Sequence, residues 1–192
     1  MKGSVKRNPM DNRESEEMTV KKLFVLQLQY GGIPEEIYHF LPENEKKMLI
    51  EKKSRFYLKD DERKKIRVVL TGGVFDILHI GHVVTLSEAK KHGDVLVVAV
   101  AKDEHIKKKG REPVHPQEYR RIMVEALRMV DASVSGFDDA KKMVGYVQPD
   151  VIVYGYDQKD FIRPKGVEIV KLEKRVDDKR FKTSKILDNL GF

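Results

Sequence analysis

Beyond residue 65 the chain alternates short β-branched runs with amphipathic stretches, and no other feature of the sequence restricts the fold as strongly. The runs that predict strands span residues 66–70, 95–100, 132–135, 151–154 and 167–172. The stretches with helical periodicity span residues 82–92, 117–129, 139–147 and 183–190. Strands separated by helices of this length favour right-handed βαβ connections. We therefore expect an α/β domain whose mostly parallel sheet is covered by helices on both faces.

A fully charged run at residues 59–65 separates this α/β domain from a helical region that precedes it. Apolar periodicity there predicts three short helices and then a strand, at residues 16–30, from Pro34, at residues 43–53 and at residues 55–58. This order is compatible with a small winged-helix module. The alternative is a helical cap or dimer-contact element packed on the α/β domain. We expect two domains: a helical or winged-helix-like extension at residues 1–62, and the α/β domain at residues 63–192.

The composition excludes several classes of protein. The 192-residue chain contains no cysteine, which excludes disulfides, thiolate nucleophiles and cysteine-ligated zinc or iron–sulfur centres. No apolar run approaches the ~20 residues that a membrane-spanning helix needs. Residues 1–20 lack the apolar core of a secretory signal. We expect a cytoplasmic protein.

The net charge of +7 is spread over the whole chain. Residues 1–65 contribute +3 and residues 66–192 contribute +4, without a basic tail. In the predicted third helix, Glu43, Glu45 and Glu51 lie close to four lysines, which is a poor arrangement for following a phosphate backbone. We therefore do not expect nucleic acid as a partner.

The segment from Thr71 to His82 follows the first predicted strand, leads into a helix and reads TGGVFDILHIGH. In open α/β sheets, ligands lie beyond the carboxyl ends of the strands, where helix N-termini offer unpaired N–H groups to phosphate. Gly72 and Gly73 allow the backbone to approach a ligand closely. The segment lacks both the Gly-Lys-Ser/Thr ending of a Walker loop and the G-x-G-x-x-G pattern of dinucleotide-binding proteins. It therefore predicts a different kind of phosphate site.

Two histidines, His79 and His82, are the chemically distinctive side chains of this segment. Each imidazole can donate a hydrogen bond to a phosphoryl oxygen, and a protonated ring adds positive charge. One alternative is a zinc pair, which usually has i, i+4 spacing and a third ligand. Another is a pair of capping or core histidines. We favour phosphate chemistry because both residues stand where a strand gives way to a helix.

The stretch from Gly72 to His82 resembles the H-x-G-H signature of the cytidylyltransferase-like nucleotidyltransferases. The resemblance extends over residues 66–190 and implies a Rossmann-like, doubly wound fold. It implies transfer of a nucleoside monophosphate from a nucleoside triphosphate to a phosphate-bearing acceptor, with release of pyrophosphate. It also implies Mg²⁺ carried mainly by the triphosphate, and a homodimer, which family members often form.

The resemblance also implies roles for particular residues, none of them a metal ligand. Catalytic roles fall on His79, His82, Lys109 and Arg120. Nucleotide contacts fall on Gly72, Gly73, Val74, Phe75, Asp76, Gly81, Asp103, Arg111, Gly155, Asp157, Thr183 and Ser184. Ordinary alternatives exist for three of these positions, because Lys109 ends a basic run typical of solvated surface, Thr183 suits a helix N-cap and Asp157 suits a turn.

The implied reaction is an in-line attack by an acceptor phosphate oxygen on the α-phosphorus of the nucleotide, without a covalent enzyme intermediate. His79 and His82 would stabilise the α-phosphate as pyrophosphate departs. Lys109, Arg120 and Arg111 would neutralise the β- and γ-phosphates.

The substrates are predicted from two further segments. Residues 155–158 and 182–186 resemble the archaeal FAD synthetase branch, which transfers the adenylyl group of ATP to FMN. The same core resembles CTP-dependent enzymes that act on glycerol phosphate or ethanolamine phosphate. The missing cysteines depart from some FAD synthetases, which carry them near the C-terminus. An alternative of another class is a nucleotide-sensing regulator that binds DNA through residues 1–62.

Overall fold

The computed structural model describes residues 9–108, 110–160 and 162–173, with side chains from residue 13 onward. The chain divides into two compact units, with the boundary between Ile66 and Arg67. The helix predicted at residues 183–190 lies outside the described residues, as do the predicted site residues Lys109, Thr183 and Ser184. Within the described part of the chain, no helix combines the length and apolarity needed to cross a membrane.

The N-terminal unit places three helices before a hairpin. Its elements are α1 (Pro9–Tyr30), α2 (Glu35–Phe40), α3 (Glu43–Lys46), β1 (Leu49–Lys52), β2 (Arg55–Leu58) and α4 (Asp60–Arg63). Helix α1 packs on β2, and its side chains Val20, Leu23 and Phe24 are fully buried. Strands β1 and β2 are antiparallel, and Ile33 adds an isolated bridge to Phe56 of β2.

The helix predicted at residues 43–53 is wrong beyond Lys46. Leu49–Lys52 forms β1 instead, with Leu49 buried and its next three residues exposed. Lys53 and Ser54 have φ angles of 52° and 58°, and these two residues turn the chain back into β2. Pairing with β2 therefore overrides the local helical pattern. The strand predicted at residues 55–58 is confirmed.

The second unit alternates strands and helices. Its elements are β3 (Val68–Gly73), α5 (Ile80–Lys90), β4 (Val95–Val100), α6 (Asp103–Lys107), α7 (Gln117–Glu125), β5 (Ala132–Ser135), α8 (Ala140–Val147), β6 (Val151–Tyr154) and β7 (Glu168–Lys171). The short helix α6 leads into the basic run that ends at Lys109. All five strands are parallel, in the order β5-β4-β3-β6-β7. The predicted Rossmann-like, mostly parallel α/β fold is confirmed.

The strand order fixes where a ligand can bind. From β3 the chain moves outward through β4 to β5, and it then crosses to β6 and β7 on the other side of β3. The direction of winding therefore reverses between β3 and β6, and open α/β sheets bind ligands at the carboxyl ends of such strands. The strand predicted at residues 66–70 is displaced to Val68–Gly73, because Gly72 and Gly73 continue the ladder with β4. The segment from Thr71 to His82 thus begins at this crevice.

The core explains why these strands form. Val98 and Val100 of β4 and Val151 and Val153 of β6 belong to one buried cluster, together with Leu86 of α5. β-Branched residues are favoured in strands because they pack well on a pleated, buried surface. This core holds the strand ends, and therefore the loops that follow them, in fixed positions.

Candidate active site

The loop between β3 and α5 is held by close packing of its own residues. Phe75 has a φ of 52° and is buried in the core cluster. A Cβ atom on Gly73 would lie 2.8 Å from Cζ of the Phe75 ring, so glycine is required there. Phe75 was a predicted nucleotide contact, but its burial gives it the role of anchoring the loop.

The two histidines of the signature are stacked at the start of α5. Their ring centroids are 3.8 Å apart, with an angle of 29° between the planes. His79 is the N-cap residue of α5, and its Nδ1 accepts a hydrogen bond of 3.1 Å from the Gly81 N–H. A Cβ atom on Gly81 would lie 2.9 Å from Cε1 and Nδ1 of His79, which explains why glycine stands between the histidines.

The N-cap hydrogen bond also determines the tautomer of His79. A nitrogen that accepts a hydrogen bond carries no proton, so the proton of a neutral His79 resides on Nε2. Nε2–H is therefore the donor that this ring can offer to a ligand. The positive end of α5 adds to it by favouring negative charge near the same residue.

Both imidazoles are neutral near pH 7 in the free protein. Burial, together with proximity to His79, lowers the pKa of His82 to about 4, and proximity to Asp157 opposes the shift. Burial also lowers the pKa of His79, again against the effect of Asp157. The two rings thus act as hydrogen-bond donors rather than as resident cations. Among the described residues nothing hydrogen-bonds to the buried Nδ1 of His82, which leaves a polar atom for a ligand.

Asp76 ties the signature loop to the segment that precedes α7. Its carboxylate is fully buried and accepts hydrogen bonds from the backbone N–H groups of Val114 (2.9 Å) and His115 (3.3 Å). The guanidinium of Arg111 donates to the same carboxylate and remains about one-third exposed. Asp76 therefore has a structural role, and its nucleotide contact stays a prediction, whereas Arg111 lies beside the loop with part of its side chain exposed.

Arg120 has a structural role in the described chain. Its side chain is completely buried, and its implied contact with a triphosphate stays a prediction. Its guanidinium donates to the carbonyl oxygens of Val74, His115 and Ala101, the last at 2.8 Å, and to the carboxylate of Asp103 at 2.6 Å. Arg120 is thus a positioning residue that joins the loop after β3, the loop after β4 and the start of α7. Asp103, a predicted nucleotide contact, serves as its counter-ion.

The loop after β6 closes the other side of the crevice. The Gln158 side chain accepts a hydrogen bond from the Gly155 N–H (2.9 Å) and donates one to the Gly72 carbonyl oxygen (2.7 Å). Sequence reasoning missed this role of Gln158, because a polar residue after a strand gives no sign of its partner across the sheet. Asp157 is exposed and influences the pKa of both histidines, so it lies on the same side of the site.

The described part of the site therefore brings the histidine pair together with the ends of β3 and β6. Gly72 and Gly73 lie at the end of β3, Gly155 and Asp157 follow β6, Gly81 stands between the histidines, and Val74 is held by Arg120. Their contacts with a nucleotide remain predictions. In the described residues there is no group of three histidine, cysteine, aspartate or glutamate side chains that could hold a metal ion.

Comparison with known proteins identifies the family. The family model described as cytidylyltransferase-like matches residues 70–189, and the chain belongs to that family. It is accordingly an enzyme of the nucleotidyltransferase class.

Curated relatives point to one branch of the family. A FAD synthase of Aciduliprofundum boonei is 46% identical over 132 residues, which are 64% of this chain and 88% of that protein. A FAD synthase of Thermococcus onnurineus is 43% identical over 141 residues, covering 67% and 93%.

A solved structure supports the fold. The lipopolysaccharide core biosynthesis protein of Thermoplasma volcanium is 36% identical and superposes with a TM-score of 0.52. The match covers 58% of this chain and 99% of that one.

Proposed function

We propose that this protein is an FAD synthase, which transfers the adenylyl group of ATP to the phosphate of FMN and releases pyrophosphate. The observation that carries the proposal is the stacked histidine pair at the N-terminus of α5, with the tautomer of His79 set by the N-cap. The relatives that share 38–46% identity and are named FAD synthases support the choice of substrates.

The chemistry follows from what the site offers. An oxygen of the FMN phosphate attacks the α-phosphorus of ATP in line, forming the new P–O bond as the bond to the β-phosphate breaks. Nε2–H of His79 and the ring of His82 donate to the α-phosphate oxygens, whose charge increases in the transition state. Because both rings are neutral beforehand, they add no repulsion toward bound cations, and they need no reorganisation when the charge develops.

Arg120 contributes to this reaction by holding the loops of the site in position. By binding the Val74 carbonyl and Asp103, it fixes the two loops between which the triphosphate has to lie. Arg111 is the cation beside this loop with exposed surface in the described chain, so we assign it to the outer phosphates. Lys109, Thr183 and Ser184 retain their proposed phosphate contacts on the basis of the resemblance alone.

A divalent cation fits the site mainly as part of the nucleotide. Mg²⁺ usually keeps several waters and binds through one or two carboxylates together with substrate phosphates. The described residues hold no three-ligand cluster, and Asp157 is the exposed carboxylate coupled to both histidines. We propose Mg²⁺ bound to the triphosphate oxygens, where the ion would neutralise phosphate charge. The cytoplasmic location and the homodimer also stay proposals.

Substrate choice can be tested directly. The full-length chain is incubated with Mg²⁺ and either ATP or CTP, together with FMN, glycerol phosphate or ethanolamine phosphate. Pyrophosphate release and FAD formation are both followed. We expect pyrophosphate and FAD in equal amounts, and only when ATP is paired with FMN. A preference for CTP with glycerol phosphate or ethanolamine phosphate would identify a cytidylyltransferase instead. Nucleotide binding without turnover of any pair would support the regulator.

A further inference from the structure

We infer that the N-terminal unit binds duplex DNA through a basic wing, defined as strands β1 and β2 with their turn, Leu49–Leu58. The wing contains three basic residues, Lys52, Lys53 and Arg55, and one acidic residue, Glu51. The inference concerns a surface outside the region matched by the family model and does not depend on the proposed FAD synthase activity.

The order of elements in this unit, helix, bridge, two short helices and hairpin, is that of a winged helix whose last helix, α3, is a single turn. Helices α2 and α3 are joined by Leu41 and Pro42 alone, and the hairpin follows directly. The bridge between Ile33 and Phe56 adds a third strand position beside the hairpin. A helix-turn-helix places its second helix in the major groove, and a hairpin behind it can reach the adjacent backbone. Exposed Asn44 on α3 is a side-chain type that reads adenine.

The structure removes one of the two reasons for rejecting nucleic acid, the charge pattern of the predicted third helix. That reason was a single helix in which glutamates alternate with lysines, whereas α3 ends at Lys46 and the lysines beyond it lie on the hairpin. The acidic residues of α3 are already neutralised inside the unit. Glu43 pairs with Lys46 at 2.8 Å, and the buried Glu45 pairs with Lys22 at 3.0 Å.

The tip of the basic wing presents unpaired donors. Lys52 and Lys53 are exposed, and neither forms an ion pair with any described residue. Ser54 follows them and can donate its hydroxyl to a phosphate oxygen. Arg55 is held at the base of the wing, because its guanidinium donates to the carbonyl oxygens of Tyr30 (2.8 Å) and Gly32 (3.0 Å).

The turn itself favours a ligand role for Lys53. Both turn residues have positive φ, a conformation for which two-residue hairpins prefer Asn-Gly. A lysine and a serine therefore stand where stability alone favours other residues. The tip carries no apolar side chain, which disfavours insertion into a membrane, whereas lysine and serine side chains are common phosphate contacts in protein–DNA complexes.

The test uses the full-length chain and a labelled DNA duplex of about three helical turns. Fluorescence anisotropy gives the affinity at salt concentrations from about 50 to 200 mM. The double variant K52A/K53A is compared with K141A/K142A, which removes the same charge from two exposed lysines of α8. Circular dichroism and nucleotidyl transfer confirm that both variants are folded.

We expect the parent chain to bind and its affinity to fall steeply with salt. K52A/K53A should lower the slope of log affinity against log salt by about two, because each phosphate contact contributes about 0.9. K141A/K142A should leave that slope unchanged. Absence of binding at the lowest salt, equal losses in both variants, or tighter binding to a duplex RNA of the same sequence would each overturn the inference.

Discussion

Replacing Gly81 by alanine tests whether the position of the His79 ring controls turnover. The new Cβ would stand 2.9 Å from Cε1 and Nδ1 of His79, whereas carbon atoms in contact prefer about 3.5–4.0 Å. The ring therefore has to move by roughly 0.6 Å or more, and the hydrogen bond from the Gly81 N–H to Nδ1 is stretched or lost. A misplacement approaching 1 Å costs about 10²-fold in rate, equivalent to roughly 2.7 kcal/mol of transition-state stabilisation.

The free energy of unfolding should change much less than the rate. Loss of the N-cap hydrogen bond costs about 1 kcal/mol, and replacing a helical glycine by alanine recovers up to about 1 kcal/mol. We therefore expect Gly81→Ala to lower kcat about 10²-fold with nearly unchanged Tm. Turnover is measured as pyrophosphate release from ATP and FMN, and stability by thermal unfolding.

Gly145→Ala is the matched control. Gly145 lies in α8, and a Cβ atom there meets nothing within 4 Å. The same chemical change should leave kcat unaltered and raise the Tm slightly. The reasoning is refuted if Gly81→Ala retains the turnover of the parent enzyme, or if its activity falls only in proportion to lost folded protein.

Three further changes have distinct expected outcomes. His82→Ala should lower kcat about 10²–10³-fold while circular dichroism stays native, because it removes one preorganised donor. In the parent, lowering the pH from 6.5 toward 4 should reduce the free energy of unfolding by up to about 3 kcal/mol, since His82 takes up a proton more readily in the unfolded chain than in the folded one. In His82→Ala the Tm should depend less on pH. An equal dependence in parent and variant would contradict a buried, neutral His82 ring. Arg120→Met should reduce the free energy of unfolding by about 3 kcal/mol in urea, because it leaves three carbonyl groups and Asp103 without their donor. A raised KM for ATP at native Tm would instead indicate that Arg120 contacts the phosphates directly. Ser54→Gly should stabilise the chain by about 1 kcal/mol, since Ser54 has a φ of 58°, and an equal gain from Ser54→Ala would refute the conformational explanation.

The sequence predicted the sheet well because the strands carry their own signal. β4 and β6 are uninterrupted apolar runs bounded by charged or turn residues, whereas β5 alternates apolar residues with serine, and the predicted limits of all three strands agree with the structure. The end of β3 was missed because Gly72 and Gly73 are poor strand formers that pair only through their neighbour β4.

The errors share one cause, which is a partner distant in the sequence. The sequence pattern of β1 predicts a continuation of the preceding helix, and its strand conformation depends on pairing with β2. Arg120 stands in the first turn of a helix, where a cation is disfavoured, so the sequence indicated a special role. It could not indicate that the partners within the protein include Val74, 46 residues away, and Asp103.

The N-cap of α5 makes one nitrogen responsible for two tasks. Nδ1 of His79 closes the first turn of the helix, and by doing so it assigns the ring proton to Nε2. An imidazolium has no free lone pair at Nδ1, so protonation in acid turns an attraction to the Gly81 N–H into a repulsion between two donors. Acid thus frays the start of α5 and disorganises the donor in the same event. The enzyme should consequently lose activity through unwinding of the first turn of α5 alone, at a pH where the sheet remains folded.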